Sequence, residues 1–218
     1  MDTVKARKAM VDSQVRPNDV PNVRLQRAME TVPREIFVPA NRRSLAYVEK
    51  DIPLFEDRCL LKARDFSKLV QEADITRDDV VLDIACGYGY SAAIIGHLAS
   101  VVVGLEESDE VVEKASGLVA DLQLDNVAVV QGAIGEGYPK QAPFDVIIIA
   151  AGIEKGLEPL LNQLSPNGGR LVTIVMKDGV GHATLFTRNG EAIGDRILFE
   201  AYPSCILPAF RAEKVFSF

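Results

Sequence analysis

Tryptophan is absent from the 218 residues, histidine occurs twice and cysteine three times. His97 and His182 leave little material for a metal hydrolase or a histidine-based triad, and neither has metal-ligand spacing, so no metal site is expected. Cys59, Cys86 and Cys205 are odd in number and far apart, which suits neither a disulfide framework nor a zinc knuckle. Basic charge is also short. Lys plus Arg number 24 against 31 Asp plus Glu, for a formal net charge of −7. A nucleic-acid partner would need a basic face, so none is expected. No apolar run approaches the roughly 20 residues that cross a bilayer. The first ten residues, MDTVKARKAM, lack the apolar centre of a secretory signal. These absences predict an acidic cytoplasmic protein with no membrane partner.

Apolar residues make up 48% of the chain and charged residues 25%, close to the average for a soluble domain. A chain of this length buries roughly 70% of its unfolded surface and needs no crosslink to hold a core. One domain over 1–218 is predicted, in three parts: a helical cap over 1–79, a βαβ core over 80–176 and antiparallel strands over 177–218. In the cap, Leu25, Ala28, Met29 and Val32 share one helical face that stops at Pro33. Phe66, Leu69, Val70 and Ala73 form a second such stripe. From residue 80, VVLDIA, VVVGL, VAVV, FDVIIIAA and RLVTIVM read as strands buried on both faces. Between them run the helical stripes Val111, Val112, Ala115, Leu118, Val119, Leu122 and Leu157, Leu160, Leu161, Leu164. Strands alternating with helices imply a doubly wound α/β fold with a parallel sheet. Beyond 177, Asn189-Gly190 between two extended runs signals a hairpin, and Val215–Phe218 is a candidate last strand.

The chemistry begins where the first of these strands meets a helix, at Asp83-Ile84-Ala85-Cys86-Gly87-Tyr88-Gly89-Tyr90. Glycines there let backbone approach a ligand, and a helix start offers free N–H groups. Glu106 ends the next strand, where an acid in a doubly wound fold accepts from ribose hydroxyls. The combination points to an adenosine-containing ligand. Gly87-x-Gly89-x-x-Ala92 also fits the dinucleotide pattern, so the turn alone leaves an NAD(P) oxidoreductase open. Asp83, inside the strand, favours S-adenosyl-L-methionine, because a carboxylate there reaches an amino group and serves no pyrophosphate. Tyr88 is a candidate cover for the cofactor, and Cys86 a backbone contact in its turn.

The cap is similar to a known family. Met10-Val11-x-x-Gln14, Ala28-Met29, Val32-Pro33-Arg34-Glu35-x-Phe37-Val38-Pro39, Ala46-Tyr47 and Ile52-Pro53-Leu54 resemble, in order, the N-terminal segments of protein-L-isoaspartate O-methyltransferases. The resemblance continues through VLDIACGYGYSAA, Pro143-Phe144-Asp145 and Gln163-Leu164…Gly168-Gly169, covering roughly residues 10–175. It implies a Rossmann-like class I methyltransferase fold, S-adenosyl-L-methionine, and carboxyl methylation of damaged aspartyl residues for protein repair. A protein or peptide bearing isoaspartyl residues, or a small carboxylate, is then the partner. A non-catalytic protein that retains the fold is the reading from another class.

Three departures bear on the site. The family's Gly-Gln-Thr-Ile-Ser-Gln-Pro places Thr and Ser hydroxyls by the methyl group and the substrate carboxylate. Here Cys59 stands at the threonine and Leu61 at the serine, with Arg58 or Lys62 beside them as a candidate anchor for an anionic substrate. The family's Gly-Asp-Gly after the third strand is Gly132-Ala133-Ile134, without the aspartate that accepts from adenine. The first glycine of the turn is Ala85, which should fit if its φ is negative. Arg58, Lys62 and Arg64 otherwise read as a solvated basic face before a helix, and Cys59 as a small packed residue.

Overall fold

The computed structural model describes residues 2–213. The N-terminal cap opens with α1 (Thr3–Met10), whose first turn is capped by the Asp2 carboxylate accepting from the Lys5 amide. In α2 (Val23–Thr31), Asn22 accepts from the Arg24 and Leu25 amides, the usual work of an asparagine at a helix start. Leu25, Ala28 and Met29 turn inward from this helix, as their spacing predicts. A small antiparallel hairpin follows, β1 (Ile52–Phe55) and β2 (Arg58–Leu60). It leads into α3 (Ala63–Glu72), which buries Phe66, Leu69 and Val70.

The core is a seven-stranded sheet with β3 (Val80–Ile84), β4 (Val101–Glu106), β5 (Val127–Gln131), β6 (Val146–Ile153), β7 (Asn167–Lys177), β8 (Val180–Asn189) and β9 (Ala192–Glu200). Its order is β5-β4-β3-β6-β7-β8-β9. The pairs from β5 through β7 are parallel, and β8 and β9 are antiparallel. Helices α4 (Tyr90–Gly96), α5 (Asp109–Asp121) and α6 (Glu158–Leu161) connect the parallel strands. Alternate strand residues feed two cores. Val81, Val102, Val146 and Val172 pack toward the N-terminal cap. Leu82, Val103, Ile147 and Leu171 pack toward α6 and the C-terminal segment.

The winding reverses at β3: two successive connections lead out to β4 and β5, and the chain then returns to β6 on the other side. A crevice outside the carboxyl ends of the strands at such a reversal is where open α/β sheets take ligands. No helix among the described residues is long and apolar enough to cross a membrane.

Some elements depart from the sequence reading. β5 is not buried on both faces, because it lies at the edge of the sheet and its residues are half-buried or exposed. The leucine stripe after β6 yields only the four-residue α6, since Leu164 leaves the helix to bridge Phe144. The candidate strand Val215–Phe218 lies outside the described residues.

Candidate functional site

Between Ile84 and Tyr90 the chain must leave the sheet and turn into α4 within five residues. Ala85, Gly87 and Gly89 all take positive φ, at 57°, 59° and 94°. The condition set for Ala85, a negative φ, is therefore not met. The Ala85 and Cys86 amides both donate to the Leu105 carbonyl, at 2.9 and 3.4 Å, and this holds the turn left-handed despite the Cβ. Gly87 is required by its positive φ, and Leu54 packs so closely over it that a Cβ would come within 2.9 Å of Leu54 Cδ1. Cys86 is buried over Gly104, and burial together with Asp83 and Glu106 pushes its thiol well up. The thiol stays protonated and inert.

Asp83 is fully buried. Ser91 Oγ donates to its Oδ2 at 2.6 Å, whereas Oδ1 has no partner in the protein. Burial, partly offset by Ser91 and reinforced by the nearby Glu106, pushes its pKa from 3.8 up to about 7. A carboxylate with one free oxygen in an apolar setting favours a cationic partner.

Glu106 is 1% exposed and completely engaged. Its Oε1 accepts from Arg58 Nε at 3.0 Å and from the Gly87 amide at 2.8 Å. Its Oε2 accepts from Arg58 Nη2 at 3.1 Å and from the Glu107 amide at 3.2 Å. Arg58 Nη2 also reaches Glu107 Oε2 at 3.0 Å. Arg58, only 8% exposed, thus belongs to no solvated face, and its charge is spent on two glutamates of the chain. The expectation that it is free to anchor a substrate anion is corrected on that ground. Lys62 and Arg64 both pair with the buried Asp65, at 3.1 and 2.7 Å.

Cys59 is corrected as well. It forms a disulfide with Cys205, so the reading of unpaired cysteines fails and Cys59 offers no group in place of the threonine hydroxyl. Leu61 is buried and apolar. Leu61, Phe66, Arg34, Tyr90, Ser91, Ala85, Cys86, Gly87 and the β1–β2 hairpin enclose a cavity of about 20 Å³, room for roughly one water. Arg34 and Tyr90 are contributions that the pattern reading passed over. Arg34 donates to the Ala46 and Leu61 carbonyls at 2.9 and 2.7 Å and lies 4.7 Å over the Tyr90 ring. The Val-Pro-Arg-Glu string marks Arg34, but only the fold reveals that it orients the backbone at Leu61.

Tyr88 faces away from this cavity. Its ring packs on Phe55 at 5.1 Å and under Lys114 Nζ at 3.4 Å, beside an open cleft of about 210 Å³. Gly132 is tied to the main chain of Glu106 by an amide donation of 2.9 Å, and neither it nor Ala133 lines the two cavities. The structure therefore brings together Asp83, Ala85, Cys86, Gly87, Glu106, Arg58, Cys59 and Leu61, with Tyr88 and Gly89 at one side.

For S-adenosylmethionine the chemistry fits at Asp83, whose unpartnered oxygen suits an ammonium although the residue is buried and lines neither cavity, and at the glycine turn, which lines the smaller cavity. At Glu106 a ribose fits only after Arg58 has moved, because the carboxylate already accepts at all of its roughly four lone-pair sites.

Comparison with known proteins agrees with this architecture. The sequence profile of the protein-L-isoaspartate(D-aspartate) O-methyltransferase family matches residues 5–199. A protein-L-isoaspartate O-methyltransferase of Methanoculleus marisnigri is 33% identical over 171 residues, covering 78% of this chain and 77% of its own. That of Gloeobacter violaceus is 31% identical over 204 residues, covering 94% and 98%. A solved protein-L-isoaspartate O-methyltransferase superposes with a TM-score of 0.81 at 22% identity, over 94% of this chain and 67% of that one. A Plasmodium falciparum beta-aspartate methyltransferase in complex with S-adenosyl-L-homocysteine superposes with a TM-score of 0.75 at 16% identity, over 90% and 96%. Sequence match over most of the chain and a shared sheet place it: the chain belongs to the protein-L-isoaspartate(D-aspartate) O-methyltransferase family, a family of S-adenosylmethionine-dependent class I methyltransferases.

Proposed function

We propose that the chain transfers a methyl group from S-adenosylmethionine to the free carboxylate of isoaspartyl residues in proteins, as a cytoplasmic repair enzyme. The observation that carries this reading is the pair of acids at adjacent strand ends, Asp83 with an unpartnered buried oxygen and Glu106 beside the glycine turn. In a member of this family Asp83 would hold the cofactor's amino group and Glu106 its ribose hydroxyls. Gly87 and Gly89 let the backbone lie close along the ligand. S-adenosylmethionine, when bound, supplies an activated methyl group on a sulfonium.

The chain's own contribution is placement and dryness. A carboxylate acceptor is ionised at neutral pH, so no general base is required. Leu54, Leu61 and Phe66 wall the cavity with hydrocarbon and exclude competing water. Arg34 fixes the loop at Leu61 through that residue's carbonyl, which makes it a positioning residue. Orientation of this kind supplies a large part of the rate in an in-line displacement.

The absence of a hydroxyl at Cys59 and Leu61 favours a second reading, in which the acceptor is a different, smaller carboxylate. Labelled S-adenosylmethionine incubated with an isoaspartyl peptide, its aspartyl twin and small carboxylates separates the two. Base-labile ester on the isoaspartyl peptide is the expected outcome. Ester only on a small carboxylate transfers the assignment to the second reading, and ester on none of them refutes both.

A further inference from the structure

We propose that Arg58 is a latch on the ribose part of the cofactor cleft and that the Cys59–Cys205 disulfide holds the latch shut. The inference rests on the reading that the cleft takes S-adenosylmethionine.

Ribose hydroxyls and the Arg58 guanidinium need the same acceptors. Both Glu106 oxygens accept from Arg58 and from one backbone amide each, so a hydroxyl can donate there only by displacing the guanidinium. Leu54 on the same hairpin lies over Gly87, so the hairpin covers the glycine turn as well as the acid. Clearing the acid and the glycine turn together therefore means shifting β1 and β2, with Leu54, along with the Arg58 side chain.

What restrains that hairpin is the C-terminal segment. Asp57 pairs with Arg211 at 3.2 Å, and the adjoining Asp51 accepts from the Ser204 amide at 2.7 Å. The segment is itself fastened to β6, because Gly152 donates to Cys205 and accepts from Leu207, both at 3.0 Å. The exposed Asp57–Arg211 pair is a weak tie. The disulfide is the covalent one, and it sits on the residue next to Arg58. Cys59 is partly exposed, within reach of a reductant. A dithiol of the thioredoxin or dithiothreitol class opens it. A thiolate attacks one sulfur, the mixed disulfide is resolved by the second thiol, and Cys59 and Cys205 each gain one electron and one proton while the reductant leaves as its own disulfide. Cytosolic disulfides are usually of this transient, sensing kind. Cofactor binding is thereby tied to redox state, oxidised chain closed and reduced chain able to open.

Minor states separated by a few kcal/mol are populated at about 0.1–10%, and apparent affinity falls by that fraction. The test is calorimetric titration of S-adenosylhomocysteine into the full chain, with the disulfide state verified by thiol alkylation. Reduction of the wild type is expected to tighten binding about tenfold or more. Cys205→Ser, which keeps Arg58 on Glu106, is expected to bind like the reduced wild type with or without reductant. Arg58→Ala is expected to bind tightly even when oxidised. Oxidised wild type binding as tightly as Cys205→Ser and Arg58→Ala overturns the latch and leaves the cofactor reading standing. Tight binding by Arg58→Ala with no redox dependence in the wild type overturns the role of the disulfide. No binding by reduced wild type, Cys205→Ser and Arg58→Ala, all melting cooperatively, overturns the cofactor reading itself.

Discussion

Arg58 and Glu106 meet edge to edge, with Nε to Oε1 at 3.0 Å and Nη2 to Oε2 at 3.1 Å, both side chains buried. The pair joins the hairpin that occupies the family's substrate segment to the acid at the end of β4, so two parts of the site that have separate duties share one interaction. Such a pair gains little over well-packed hydrocarbon, but removing one partner strands the other charge.

Glu106→Ala is accordingly expected to be more than a binding mutation. It leaves the buried Arg58 with Glu107 as its remaining acid, and the loss should be roughly 3 kcal/mol or more in urea unfolding. The Arg58→Ala/Glu106→Ala double variant should recover much of that loss, since neither charge is then left alone. Additive losses in the double variant would contradict the coupling.

Asp83 sets a pH dependence. Its pKa is raised on folding from 3.8 to about 7, so between those values the native state holds a proton that the unfolded state has released. Stability contributed by protonated Asp83 is therefore present below about pH 4 and is lost as pH rises through about 7. The full displacement corresponds to roughly 4 kcal/mol. Asp83→Asn should match the wild type near pH 4 and exceed it in stability at pH 8, while losing affinity for S-adenosylhomocysteine. In the wild type that affinity should fall by up to about tenfold per pH unit below 7, because the acid must first ionise to meet an ammonium. Parallel stability-against-pH curves for the two proteins would remove Asp83 from this role.

Restoring the family's hydroxyls tests the substrate side. Cys59→Thr/Leu61→Ser breaks the disulfide as well as adding two donors, so its proper reference is Cys205→Ser under reducing conditions. Against that reference, ester formation on an isoaspartyl peptide is expected to rise, with about 10²–10³-fold as the upper range suggested by single transition-state donors. An unchanged or lower rate would show that the hydrocarbon at Leu61 is suited to the acceptor this chain uses.

Much of the fold was legible because it is encoded locally. Val146–Ile153 is a continuous apolar run and Val80–Ile84 one broken only by Asp83, as strands covered on both faces require, and Leu25, Ala28 and Met29 repeat at the helical period. β5 misled because its apolar run lies at an edge, and nothing in four residues states which neighbours a strand will have. The nearness of the glycine turn to the acid that ends the next strand was legible to the same depth, since the two stand at a fixed offset within one βαβ unit.

The sequence by itself determined the alternation of strands and helices, the position of the glycine turn, and Asp83 and Glu106 as its acids. Only the tertiary structure decided what those acids face. Arg58 reaches Glu106 across 48 residues and Cys59 reaches Cys205 across 146, separations at which no periodicity or spacing pairs one residue with another. The sign of φ at Ala85 was likewise decided by the Leu105 carbonyl on the neighbouring strand, which binds two successive amides of the turn. Periodicity reports how a residue sits on its own element, whereas charge partners, crosslinks and turn handedness depend on which elements the fold brings together.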